Sequence, residues 1–162
     1  MTISVGDRLP EATLFEMAEG QPATIASGDV FAGKTVALFG LPGAYTGTCS
    51  RVHMPSFVAA AGQLRAKGVD AVVCLTVNDP FVASAWGEAT GATAEDIRIV
   101  ADPFAELTKK MGLDYDGSAR GLGVRCRRFS ALVKNGEVTI LNLEEAPGQA
   151  VCSVGEVLVD QI

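Results

Sequence analysis

The residues of this 162-residue chain best placed to do chemistry lie in Leu41-Pro42-Gly43-Ala44-Tyr45-Thr46-Gly47-Thr48-Cys49-Ser50. An apolar, β-rich run, Thr35 to Gly40, leads into this Gly/Pro-rich loop, and a helical pattern begins at or near Cys49. In open α/β sheets the loops at strand C-termini build the sites. A cysteine in the first turn of a helix faces free backbone N–H groups and the positive end of the macrodipole, which favour a thiolate, the nucleophilic form of the side chain. Thr46, three residues earlier, could aim its hydroxyl at the sulfur or at an incoming oxygen. His53, four residues later, shares a helix face with Cys49. A cysteine hydrolase would need that imidazole aimed at the sulfur. The plainer reading makes His53 a structural hydrogen-bonding group near the helix start.

The other cysteines are Cys74, Cys126 and Cys152. No CxxC pair is present and His53 is the one histidine, so a structural zinc site lacks its ligand spacing. The apolar content is 48%, enough to fold without disulfide staples, and the cysteines read as thiols. Cys74 sits inside the apolar run Asp70-Ala-Val-Val-Cys-Leu-Thr-Val77, where a buried core thiol is expected. Cys152 lies near a chain end and a loop, where local opening costs least. Cys126 stands between arginines.

The elements that must position these groups alternate. Strands are expected at Thr35–Gly40, Asp70–Val77 and Ile97–Ala101, with helices at Cys49–Lys67 and from Asp79, whose Pro80 falls in the first turn. Asp102 and Pro103 are expected to cap a helix running through Met111, and Ser153 a last helix toward Ile162. Arg128–Val133 and Glu137–Leu143 are read as strands joined by Lys134-Asn135-Gly136, a hairpin signal. Phe57, Phe81 and Trp86 read as core, and Glu144-Glu145-Ala146-Pro147-Gly148 as a solvated loop rather than a metal site. The sum is a single α/β domain over residues 1–162, a mixed central sheet flanked by helices, in a thioredoxin-like layout.

Charge narrows the partners. Thirteen basic against nineteen acidic residues leave a net charge of −6, without the positive field that nucleic-acid and anionic-membrane binders use. The longest uncharged stretch, Thr35 to Ser50, has 16 residues interrupted by Pro42 and glycines, short of a membrane span. Met1–Pro10 has neither a basic start nor an apolar run, so no secretory signal is expected and the chain reads as cytoplasmic.

The run PGAYTGTCSRVHMPSF resembles the active-site segment of the peroxiredoxins, in particular the peroxiredoxin-5, or type II, branch. KGVDAVVCLTVNDPFVASAW, VADP, GLGVRCRRFSALVKNGEV and CSVGEVL resemble the same branch in the same order, from Val5 onward. The resemblance implies a thioredoxin-like fold and reduction of hydrogen peroxide and organic hydroperoxides without metal, flavin or other cofactor. It implies that Cys49 is the peroxidatic cysteine, oxidised to a sulfenic acid. Thr46 would hydrogen-bond thiolate and peroxide, Pro42 would shield the sulfur, and Arg128 would be the active-site arginine, with Arg125 and Arg127 its solvated neighbours. Cys152 or Cys74 would resolve the sulfenic acid, Cys152 being favoured for its exposure, unless an external thiol does so. Thioredoxin, glutaredoxin or glutathione would supply electrons, and a homodimer is implied. An alternative use of the same thiolate is a redox-sensing or holdase-like binding protein. One departure stands out: the family's threonine-proline step reads Thr46-Gly47 here, which predicts a freer backbone under Thr46.

Overall fold

The computed structural model describes residues 1–162. In chain order its elements are β1 (Thr13–Ala18), β2 (Gln21–Ala26), α1 (Ser27–Phe31), β3 (Thr35–Leu41), α2 (Met54–Ala66), β4 (Ala71–Thr76), α3 (Pro80–Ala89), β5 (Ile97–Ala101), α4 (Glu106–Lys110), β6 (Asp114–Asp116), β7 (Val124–Cys126), β8 (Phe129–Lys134), β9 (Glu137–Leu143) and α5 (Gly155–Gln161). Seven strands form one sheet in the order β2-β1-β5-β4-β3-β8-β9, and β6 and β7 pair separately. The β3/β4 and β4/β5 pairs are parallel, while β1/β2, β3/β8 and β8/β9 are antiparallel. This is the mixed sheet the sequence implies, with the Asn135-Gly136 hairpin at one edge.

The central strands are apolar throughout because both their faces are covered. Side chains alternate across a strand. Val36 and Leu38 of β3, with Val73 and Leu75 of β4, join one buried cluster that includes Phe31, Met111 and Phe129. Ala37, Phe39 and Leu41, with Val72 and Cys74, join a second that includes Phe57, Leu64, Trp86 and Leu158. Cys49 belongs to this second cluster and is packed among its side chains.

Helix α2 is entered through a wide π turn, Cys49–His53. Pro55 lies in the next turn, where it has no N–H to donate and would crowd the carbonyl four residues back; a π turn relieves both problems. Asp79 caps α3 as expected, its Oδ1 accepting from Val82 N at 2.9 Å. The helix predicted from Asp102 starts later, at Glu106. Asp102 still serves its N-terminus, accepting from Glu106 N at 2.7 Å and from Thr108 N at 2.9 Å. Ser153 does not cap α5: the residue before that helix is Val154, and the Ser153 hydroxyl donates to Glu144 instead. Ser56 of α2 takes the capping role, its Oγ accepting from Gly155 N at 3.0 Å. Gly155 is required there by proximity, since a Cβ would fall 2.5 Å from the Ser56 carbonyl oxygen. Phe57 and Trp86 are buried, but Phe81 is exposed and does not belong to the core.

Candidate active site

Cys49 is almost completely buried, at 1% exposure, at the start of the π turn. The hydrogen-bond donor on its sulfur is not a backbone N–H but Arg128, whose Nη2 lies 3.3 Å from Sγ. Arg128 immediately precedes β8, the strand paired with β3, and is itself 1% exposed. Its Nη2 also donates to the Pro147 carbonyl at 2.9 Å, and Nη1 donates to Nδ1 of His53 at 3.0 Å. A guanidinium can only donate and a carbonyl can only accept. His53 therefore carries its proton on Nε2, which donates to the Ser153 carbonyl at 3.0 Å. Burial, and then the charge of Arg128, pull the imidazole pKa down to about 3. The ring packs edge-on against Phe39 and Phe57, which stack on each other with centroids 3.9 Å apart. Both ring nitrogens are occupied by these partners, so His53 holds Arg128 rather than activating Cys49. The cysteine-hydrolase arrangement is absent.

Ser153 is held in turn by Glu144. The Oε1 of Glu144 accepts from Val151 N at 2.7 Å, and from Ser153 N and Ser153 Oγ at 2.8 Å each. Burial pushes the carboxyl pKa up, but these hydrogen bonds outweigh it and hold the group below the usual range. The expectation of a solvated loop fails for Glu144, which is buried because three donors replace its water. One path of contacts thus runs from Cys49 through Arg128, His53 and Ser153 to Glu144. His53 fills the structural hydrogen-bonding role expected of it near the helix start, whereas Ser153 and Glu144 carry no local motif that announces their part in the path.

Pro42, Thr46 and Arg128 line one cavity of about 270 Å³. The Thr46 hydroxyl donates to the Gly43 carbonyl at 2.7 Å, not to the sulfur, which leaves its lone pairs to accept from an entering molecule. Thr46 is firmly held despite Gly47, because its N–H also reaches Gly43 O and its carbonyl accepts from Ser50 N at 3.1 Å. Gly47 does not adopt a positive φ, so it confers space rather than backbone freedom. Arg125 and Arg127 are half-buried braces, not solvated charges. Arg125 donates to the Leu122 and Pro42 carbonyls, and Arg127 to that of Glu144.

All four cysteines are free thiols. Cys74 is fully buried on β4, and burial pushes its pKa well up. Cys126 is likewise buried on β7 with its pKa raised by burial, so its arginine neighbours in sequence do not make it reactive. Cys152 is half-buried in the loop that Glu144 anchors. Burial, and then the adjacent Glu144 carboxylate, raise its pKa. No group of three or more His, Cys, Asp or Glu side chains is placed to hold a metal ion. No helix is long and apolar enough to cross a membrane.

Residues 4–158 match the Redoxin family. The chain is 45% identical over 161 residues to peroxiredoxin-2E-2, chloroplastic, of Oryza sativa subsp. japonica, covering 97% of this chain and 72% of that one. It is 42% identical over 157 residues to peroxiredoxin-2D of Arabidopsis thaliana, covering 96% of each. The chain belongs to the peroxiredoxins. The crystal structure of reduced Prx3 of Vibrio vulnificus in complex with hydrogen peroxide superposes on it with a TM-score of 0.92 at 41% identity, covering 99% of both chains. Peroxiredoxin 5 of Alvinella pompejana gives 0.85 at 27% identity, covering 97% of this chain and 96% of that one. The fold is therefore thioredoxin-like, and this peroxiredoxin is a thiol-dependent peroxidase of the peroxiredoxin-5 type.

Proposed function

We propose that this peroxiredoxin reduces hydrogen peroxide and organic hydroperoxides through a Cys49 sulfenic acid. The observation that carries the reading is the Arg128 guanidinium, 3.3 Å from the sulfur of a buried cysteine and itself lining a cavity of about 270 Å³. The Cys49 thiolate attacks one peroxide oxygen. The S–O bond forms as the O–O bond breaks, sulfur loses two electrons, and the leaving oxygen departs as an alcohol or water after taking a proton. Negative charge moves from sulfur to that oxygen in the transition state. A guanidinium fixed by Pro147 and His53 can follow it without reorganising. Arg128 Nε is buried without an acceptor, so the group has donor capacity in reserve. Thr46 Oγ1 accepts from the peroxide O–H, and Pro42 covers the approach.

A second thiol then condenses with the sulfenic acid, releasing water and forming a disulfide that an external dithiol or glutathione reduces. Exposure and a place in a surface loop favour Cys152 over the fully buried Cys74 as that thiol. A homodimer and a thioredoxin, glutaredoxin or glutathione donor complete the proposal.

The test is peroxide consumption with dithiothreitol as donor, for wild type, Cys49→Ser and Cys152→Ser. Rapid consumption lost only in Cys49→Ser is expected, since dithiothreitol replaces a resolving thiol. Equal slow consumption by wild type and Cys49→Ser overturns the assignment.

A further inference from the structure

The cavity lined by Arg128 is more cationic than peroxide chemistry at Cys49 requires. Besides Arg128, it is lined by Arg51 and Arg120, and no carboxylate lines it. This holds in a chain whose net charge is −6. The two ion pairs in the structure, Arg98–Glu16 and Lys110–Glu106, involve neither arginine. Arg125 and Arg127 nearby are bound to main-chain carbonyls. Arg51 and Arg120 have no such bonds and are exposed. Acidic groups line the adjoining cavities instead: Asp116, which accepts from Ser118 N at 2.9 Å, in one, and Glu144 and Glu145 in another.

Gly47 ties this arrangement to the loop. A Cβ at that position would lie 2.8 Å from Nη2 of Arg51, so the guanidinium rests where a side chain would otherwise stand. The proline usual in the family would occupy that space. At Gly47 the flexible end of Arg51 therefore lies against bare backbone beside the cavity that both residues line. Hydrogen peroxide is neutral and makes no use of two further guanidinium groups. A carboxylate does, because each planar fork can bind it through two parallel N–H···O bonds.

We propose that Arg51 and Arg120 form a carboxylate-recognition site on the exposed side of the cavity they share with Arg128. The small molecule it receives, hydroperoxide or reducing thiol, is thus one that carries a carboxylate. This rests on the peroxidase reading and adds no covalent step to it. The carboxylate docks at these two arginines while the reacting oxygen or sulfur reaches Cys49.

The experiment uses matched acid–ester pairs with wild type, Arg51→Gln, Arg120→Gln and the double variant. One arm compares a hydroperoxy fatty acid with its methyl ester under dithiothreitol. The other compares glutathione with its diethyl ester under saturating hydrogen peroxide. The readout is the acid-to-ester ratio of kcat/KM. Wild type should favour the acid in at least one arm, and the double variant should lower that ratio about tenfold. A drop in the first arm identifies the hydroperoxide as the ligand, and a drop in the second the reductant. A wild-type ratio near one in both arms, or a ratio the double variant leaves within twofold, overturns the proposal. Wild type that consumes hydrogen peroxide with dithiothreitol yet shows no preference defeats this inference alone. Wild type that consumes none defeats the peroxidase reading.

Discussion

Nη1 of Arg128 donates to Nδ1 of His53 across 3.0 Å, and this contact fixes which way the guanidinium beside Cys49 faces. The imidazole is held in turn by the Ser153 carbonyl, so the plane of Arg128 is set from a loop a hundred residues from His53 in sequence. The cationic partner keeps the ring neutral, and the neutral ring accepts from the cation.

Replacing Arg128 by Gln should therefore remove both the stabilising charge and its scaffold. The second-order rate of Cys49 oxidation by hydrogen peroxide should fall by about 10²–10³-fold, the usual loss for one preorganised donor. Arg128→Lys should recover little, because one ammonium nitrogen cannot stand at both the Nη1 position that meets His53 Nδ1 and the Nη2 position that meets Sγ and Pro147 O. Stopped-flow competition for peroxide measures both.

His53 makes stability pH-dependent in a defined direction. Folded, its pKa is about 3; unfolded, it returns to near 6.5. Between those values the unfolded chain binds more protons, so stability rises with pH and is lost as pH falls from 6.5 toward 3. The full effect is roughly 5 kcal/mol at the acid end. Urea denaturation at pH 6.5, 5.5 and 4.5 should show a steeper decline for wild type than for His53→Gln. Parallel declines would mean the buried ring is not the group that titrates.

Glu144→Gln should raise the reactivity of Cys152 without releasing its loop. All three hydrogen bonds fall on Oε1, and an amide oxygen can still accept them, though more weakly than a carboxylate. The carboxylate that helps to raise the Cys152 pKa disappears. Alkylation of Cys152 by iodoacetamide at pH 8 should speed up several-fold, read by mass spectrometry in the Cys49→Ser background. Glu144→Ala should instead loosen residues 151–153 and increase their amide exchange.

Gly155→Ala should destabilise the protein by about 1–3 kcal/mol, because the added methyl meets the rigid Ser56 carbonyl rather than a flexible side-chain end. A lowered Tm with unchanged peroxide chemistry at 25 °C is the expected pair of observations.

The two hairpins show where sequence speaks and where it is silent. Asn135 and Gly136 both adopt positive φ, at 47° and 79°, and Asn-Gly announces such a turn. Glu19 and Gly20 adopt nearly the same pair, 53° and 77°, joining β1 to β2. Glutamate has no special tolerance for that conformation, so this hairpin, and with it the far edge of the sheet, went unannounced. The site divides the same way. Cys49, Pro42 and Thr46 share one loop with a readable composition, and Arg128 was reachable by resemblance. Glu144 and Ser153 act through tertiary hydrogen bonds that no local pattern encodes, and Ser153 misled because a serine before a helix imitates a cap.

The π turn at Cys49–His53 sets a limit on how this segment can change in length. An ordinary helix advances about 100° per residue, and the wide turn absorbs the offset between Cys49 and the buried face of α2. Substitutions within it alter a side chain and leave the phase intact. Deleting one residue to restore regular winding would rotate the sulfur by about 100° away from Arg128 while Phe57 and Leu64 stayed packed. Natural and engineered variants of this chain should accordingly keep their fold through residue exchange at the exposed Arg51 and Val52, and reject insertion or deletion between positions 49 and 53.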